Sequence, residues 1–153
     1  MSRYAAETKV SVSKSKAEIE KTLDRYGAEQ VLSGWSDKQA LVGFTMQGRQ
    51  VRFVAPLPAK SEFRQTATGQ FRSLDAITNA WEKACRQRWR GLALVIKAKL
   101  EAVDSGIAEF EDEFLANIVM PNGRTVGEEA KPAIAAAYET GAVQPLLPHH
   151  SGG

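Results

Sequence analysis

Histidine and cysteine are almost absent from this chain. Cys85 is the single cysteine, so there is no internal disulfide and no cysteine metal cluster. That pattern fits a reducing cytosol. Both histidines, His149 and His150, stand in the last five residues, which leaves none inside the fold for catalysis. They read as tail residues rather than metal ligands. No apolar run approaches the roughly 18–20 residues of a membrane-spanning helix. The opening MSRYAAETKV carries no apolar signal core. Glycine-rich phosphate loops, HExxH, CxxC and the nucleophile elbow are all missing. Asp24, Glu29, Asp37 and Glu62 are too scattered for a carboxylate-based nuclease. These absences point to a non-enzyme with no cofactor and no metal.

What is present suits an ordinary globular domain. The chain has 153 residues, 43% hydrophobic and 25% charged. It reads as a single α+β domain over residues 1–142, followed by a flexible tail, 143–153. The net charge of +2 hides an uneven distribution. Residues 38–100 hold 12 basic and 3 acidic residues, a balance of +9. Residues 107–153 hold 2 and 7, a balance of −5. A basic middle favours an anionic partner, and nucleic acid is the commonest one.

The stretch SLDAITNAWEKACRQRWRGLALVIKAKLEAVDSG, residues 73–106, reads as one long helix. Ser73 is a suitable N-cap with Asp75 in the first turn, and Gly106 a suitable C-terminal stop. Gly91 is the only weak interior position, the one that would permit a bend or break. At 100° per residue, Ile77, Trp81, Cys85, Leu92, Val95, Ile96, Leu100 and Val103 share an apolar side. Cys85 on that side reads as an inert core residue. Lys83, Arg86, Arg90 and Lys97 share the opposite side. Such a stripe is either a plain solvated face or an unpaired surface for an anion. Arg88 and Lys99 fall near the apolar stripe. There they form a structural ion pair, snorkel their charged heads to solvent, or point into a functional groove.

Ahead of that helix, residues 1–8 read as frayed. Lys9-Val10-Ser11-Val12 alternates like a first strand. Ser15-Lys16-Ala17-Glu18 matches a capping box opening a helix that ends at Gly27. Three strands follow at 30–35, 40–46 and 50–55, with a tight turn at Gln47-Gly48. The expected order is β-α-β-β-β, a small antiparallel sheet covered by the long helix and the C-terminal helices. The connection 59–73 shows no hydrophobic period and reads as a functional or mobile loop. It carries Lys60, Arg64 and Arg72, interleaved with Phe63 and Phe71. Cations there would meet phosphate and rings would stack on bases, or the phenylalanines tuck into the core.

Beyond Gly106 the character turns acidic. Ile107, Phe110, Phe114, Leu115 and Ile118 keep a helical stripe between Glu109, Glu111, Asp112 and Glu113, acids placed to pair with Arg88, Lys99 or the loop arginines. Met120-Pro121-Asn122-Gly123 is a turn. Thr125-Val126-Gly127-Glu128 is a second capping box, opening a helix closed by Gly141. Pro132 fits only near the first turn of that helix or at a kink.

Two segments, RYAAETKVSVSKSKAEIEKTLDRYGA and WEKACRQRWRGLALVIKAKLEAV followed by FEDEFLANIVMPNGRTVGE, resemble a widespread group of small bacteriophage and prophage proteins of unknown function. The resemblance covers roughly Arg3 to Gly141 and brings no site residues with it. It implies a viral protein in the host bacterial cytoplasm, acting near replication or recombination or against host defence. The reading that joins charge and resemblance is a phage nucleic-acid-binding accessory protein, on DNA or RNA. Its contacts would be Lys60, Phe63, Arg64, Phe71, Arg72, Lys83, Arg86, Arg90 and Lys97. The α-β-β-β-α run is also the order of double-stranded-RNA-binding domains, a fold-level analogy without their lysine signature. The alternatives are an anti-defence inhibitor that binds a host protein, and a virion or assembly component. Neither the oligomeric state nor the nature of the nucleic acid is readable.

Overall fold

The computed structural model describes residues 3–147. Helix α1 spans Arg3–Arg25 and strands β1, β2 and β3 span Glu29–Trp35, Gln39–Met46 and Arg49–Pro56. Helix α2 spans Leu74–Asp104, α3 Phe110–Phe114 and α4 Val126–Thr140. The strands form one antiparallel meander in the order β1-β2-β3. The α+β expectation therefore holds, but the order is α-β-β-β and not β-α-β-β-β.

The difference lies in residues 3–12. The expected frayed end and first strand are helical, and the 15–18 capping box lies inside α1 rather than at its start. Val12, Ile19 and Leu23 explain why. They are spaced seven and four residues apart, on one face of a helix, and all three are buried. Carrying that stripe one turn further outweighs a two-valine alternation. Gly27 closes α1 at φ 85°. Its N–H reaches the Asp24 carbonyl at 3.0 Å and the Ala28 N–H reaches Leu23 at 2.9 Å, a Schellman cap.

The meander forms as its turns dictate. Gln47 and Gly48 both take positive φ, 50° and 74°, between the Met46–Arg49 pair. That is a two-residue turn whose twist matches the flanking strands. Ala40, Val42, Phe44 and Met46 of β2 and Val51 and Phe53 of β3 face the helices and are buried. Phe114 of α3 sets its ring edge-on to Phe44 and Phe53, at 5.9 and 6.0 Å between centroids. The Ser33 hydroxyl donates to Glu20 of α1 at 3.0 Å, tying β1 to the helix layer.

Helix α2 is the spine. The Ser73 side chain accepts from the Ala76 N–H at 3.2 Å, as the cap requires, and the helix runs unbroken through Gly91. Its buried stripe is Glu82, Cys85, Trp89, Leu92, Ile96 and Leu100. The core side is thus turned toward Trp89, which is fully buried, and away from Val95, which is 46% exposed. Trp89 carries a buried indole N–H without a hydrogen-bond partner.

Two further expectations change. The 59–73 connection is built rather than irregular: a 3-10 turn at Lys60–Phe63, then a small hairpin bridged at Gln65 and Phe71. The acidic helix is only α3 plus a 3-10 turn at Leu115–Asn117, with Ile107 and Leu115 exposed. The second capping box is present, Thr125 accepting from the Glu128 N–H at 3.1 Å. Pro132 sits seven residues into α4, beyond the first turn. It leaves the Glu128 carbonyl without its helical donor, and the Arg124 guanidinium reaches that oxygen at 3.5 Å.

Candidate nucleic-acid interface

The expected contact residues fall into two groups on different sides of α2. Lys83, Arg90 and Lys97 are exposed and make no ion pair among the described residues. They recur every seven residues, so they stand about 10.5 Å apart along one rigid axis. Arg86, on the flank of that row, is half-buried and already engaged within the fold. Leu94, 62% exposed, stands between Arg90 and Lys97.

The loop group lies elsewhere. The Trp81 indole N–H donates to the Pro58 carbonyl at 2.7 Å, and the Lys60 ammonium sits 4.9 Å over the same ring. Trp81 is two residues before Lys83, about 160° around the helix from it. Lys60 is therefore held on another side of α2 from the seven-residue row. Arg72 is half-buried, and its guanidinium donates to the carbonyls of Phe63 at 3.1 Å and Gln65 at 3.3 Å. It staples the hairpin rather than facing a ligand. Phe63 is half-buried with the loop, whereas Phe71 is 81% exposed and Arg64 is also exposed. Phe71 and Leu74, at the start of α2, leave an apolar step beside Arg64.

Arg88 and Lys99 also separate. Lys99 donates to the Glu113 carbonyl at 3.0 Å, lies 3.4 Å from its carboxylate, and has the Phe114 ring 5.8 Å away. That is the expected pairing with the acidic segment. Arg88 is exposed and makes no ion pair among the described residues, so it is a surface cation that the helical wheel placed too close to the core.

Four acids of the last third meet cations, Glu113 with Lys99 and three others with arginines. Glu111 meets Arg49 at 2.9 Å, and Glu128 meets Arg52 at 3.3 Å and Arg124 at 3.8 Å. Glu129 meets Arg124 at 3.7 Å and accepts from Asn122 at 2.6 Å. Arg52 also donates to the Gly123 carbonyl at 3.0 Å, fastening the turn before α4 to β3. Sequence spacing carries no sign of Arg49 and Arg52 as partners, because 62 and 76 residues separate them from their acids.

Burial raises the Cys85 thiol above its ordinary value, with Glu82 adding to the shift and Arg86 opposing it. A buried thiol held in its neutral form is a core residue, not a nucleophile. Among the described residues no group of three or more His, Cys, Asp or Glu is placed to hold a metal. No helix is long and apolar enough to cross a membrane. No family model, no curated protein and no solved structure matches this chain.

Proposed function

We propose that this chain is a non-enzymatic nucleic-acid-binding accessory protein, phage-encoded as its resemblance implies. It contacts phosphates through Lys83, Arg90 and Lys97 with little preference for sequence. One observation carries this reading. Among the described residues these cations make no ion pair, although the chain holds enough carboxylates to neutralise them. Arg64 and Phe71 form a second contact point, where a ring at the edge of the loop stacks on an unpaired base. Three to five phosphate contacts give a salt slope of about −2 to −4.5 in log affinity against log salt. Fluorescence anisotropy with labelled single- and double-stranded DNA and RNA over a salt series measures it. Absence of binding at low salt discards the reading.

Leu94 favours a second reading. An exposed leucine between Arg90 and Lys97 has no use against phosphate, but suits an acidic, partly apolar protein surface. Under that reading the chain is an inhibitor of a host defence protein. Leu94→Ser would then weaken the complex as much as Arg90→Ser does. With nucleic acid as partner, only the arginine change has an effect.

A further inference from the structure

The two edges of the sheet are treated differently. Along β3, Val51 bridges to Ile118, the Gln50 carbonyl takes the Val119 N–H at 2.8 Å, and Pro56 ends the strand. Along the outer side of β1 no described strand pairs. The ladder fixes which of its backbone groups point there. The Ser36 N–H donates to the Gln39 carbonyl at 2.9 Å, and in an antiparallel pair bonded and non-bonded positions alternate. Gly34–Leu41 and Leu32–Gly43 are therefore bonded pairs, and Ser33 and Trp35 turn their N–H and C=O groups outward. Exposed edges are commonly blunted by lysine or proline. The stretch from Gln30 to Ser36, QVLSGWS, holds neither and carries no charge.

The side chains of this edge complement themselves. On the face away from the helices, a row runs Val54, Leu41, Gly34 across the three strands. Nothing lies within 4 Å of a Cβ on Gly34, so the apolar row ends in a gap. Leu32, 57% exposed, stands two residues away on the same face. When β1 pairs antiparallel with its own copy about Ser33, Leu32 of each copy falls opposite Gly34 of the other. That is a non-bonded position, where side chains approach most closely. The same register sets Ser33 opposite Ser33 as a bonded pair, which uses the outward groups. It also brings Trp35, 41% exposed, beside Val31 on the helix side. We propose that β1 is a homodimerisation edge, where two copies pair antiparallel about Ser33 into a six-stranded sheet and Leu32 of each fills the space over Gly34 of the other. The interface uses no residue of the cationic row on α2, so it stands whether or not nucleic acid binds.

Sedimentation equilibrium of the full chain should show a mass that rises with concentration from 16.7 kDa toward twice that value. Ser33→Pro removes an outward N–H that the single copy does not use, and should weaken the dimer at least about tenfold. Cross-linking reads the register. Cα atoms of a bonded pair stand about 5.5 Å apart, within reach of a disulfide, so mild oxidation should join two copies of Ser33→Cys. In Leu32→Cys the two thiols lie on a diagonal, with Cα atoms about 7–8 Å apart. That variant should cross-link at least about tenfold more slowly. Cys85 is buried and stays out of the reaction. A chain that is monomeric at every concentration would overturn the proposal. So would a dimer whose dissociation constant is unchanged by Ser33→Pro, or equal cross-linking of the two cysteine variants, since the pairing would then lie elsewhere. If Ser33→Pro does not fold, the two cysteine variants decide alone.

Discussion

The outer side of α2 and the acidic last third of the chain are charged to similar density and arranged in opposite ways. In the last third, Glu111, Glu113, Glu128 and Glu129 each meet a cation from another part of the fold or from the preceding turn. Those pairs bind α3 and the start of α4 to the sheet and to α2. Along α2, Lys83, Arg90 and Lys97 stay unmet among the described residues. A charge that holds a fold together and a charge left for a partner look alike in composition. They differ in whether an opposite charge arrives from a distant segment. Four acids of the last third are paired within the fold, whereas the three cations of α2 make no ion pair among the described residues.

The strongest way to break this contrast is to reverse the available charges. Lys83→Glu, Arg90→Glu and Lys97→Glu together should flatten the salt slope by about 2–3 and lower affinity on the order of 100-fold at low salt. The same triple variant should unfold within about 0.5 kcal/mol of the unaltered protein, because exposed positions contribute little to stability. A large fall in the urea midpoint would show that the cations are structural after all.

The docked region should respond in the opposite sense, through stability. A Cβ on Gly127 would stand 2.9 Å from the Ala116 carbonyl oxygen. Gly127→Ala should therefore cost about 2 kcal/mol in urea unfolding, as overpacking does, with nucleic-acid binding unchanged. Lys99→Met comes next. It keeps the apolar stem but removes the ammonium from the Glu113 carboxylate, from its carbonyl and from the Phe114 ring. Both side chains are about a quarter exposed, so the loss should be about 1–2 kcal/mol, below that of a deeply buried pair. Gly91 offers the reverse case, since nothing lies within 4 Å of a Cβ there. Gly91→Ala should stabilise α2 by up to about 1 kcal/mol. Smallest of all, Arg88→Met should move the midpoint by no more than about 0.5 kcal/mol. Equal losses for Arg88 and Lys99 would erase the distinction between them.

Features set by neighbours in sequence were legible beforehand. The Ser73 cap, the Thr125–Glu128 box, the Gln47-Gly48 turn and the inward alternation of Val42, Phe44, Val51 and Phe53 follow from local chemistry alone. The rest depended on partners far along the chain. The helix wheel placed Val95 inside and passed over Trp89, because the core side of α2 is chosen by what packs on it. Arg72 looked like a ligand contact because its two carbonyl partners appear only once the loop closes into a hairpin. Arg86 looked equally available, and its engagement is again a tertiary fact. Of the nine residues expected at the interface, Lys83, Arg90 and Lys97 share a face, with Arg64 and Phe71 exposed apart from them. Lys60, Phe63, Arg72 and Arg86 are at least partly committed to the fold.

The packing of α1 on α2 also sets an order of events during synthesis. The strands pair with their immediate successors, so the meander can close as it leaves the ribosome. Helix α1 emerges before the strands, yet Val12, Ile19 and Leu23 are buried in a core that α2 completes. About fifty residues separate the end of α1 from the start of α2. At roughly 5–20 residues per second, the nascent helix waits about 3–10 seconds for its partner surface. During that interval its apolar stripe is open to chaperones, and the helix made before the sheet becomes native after it.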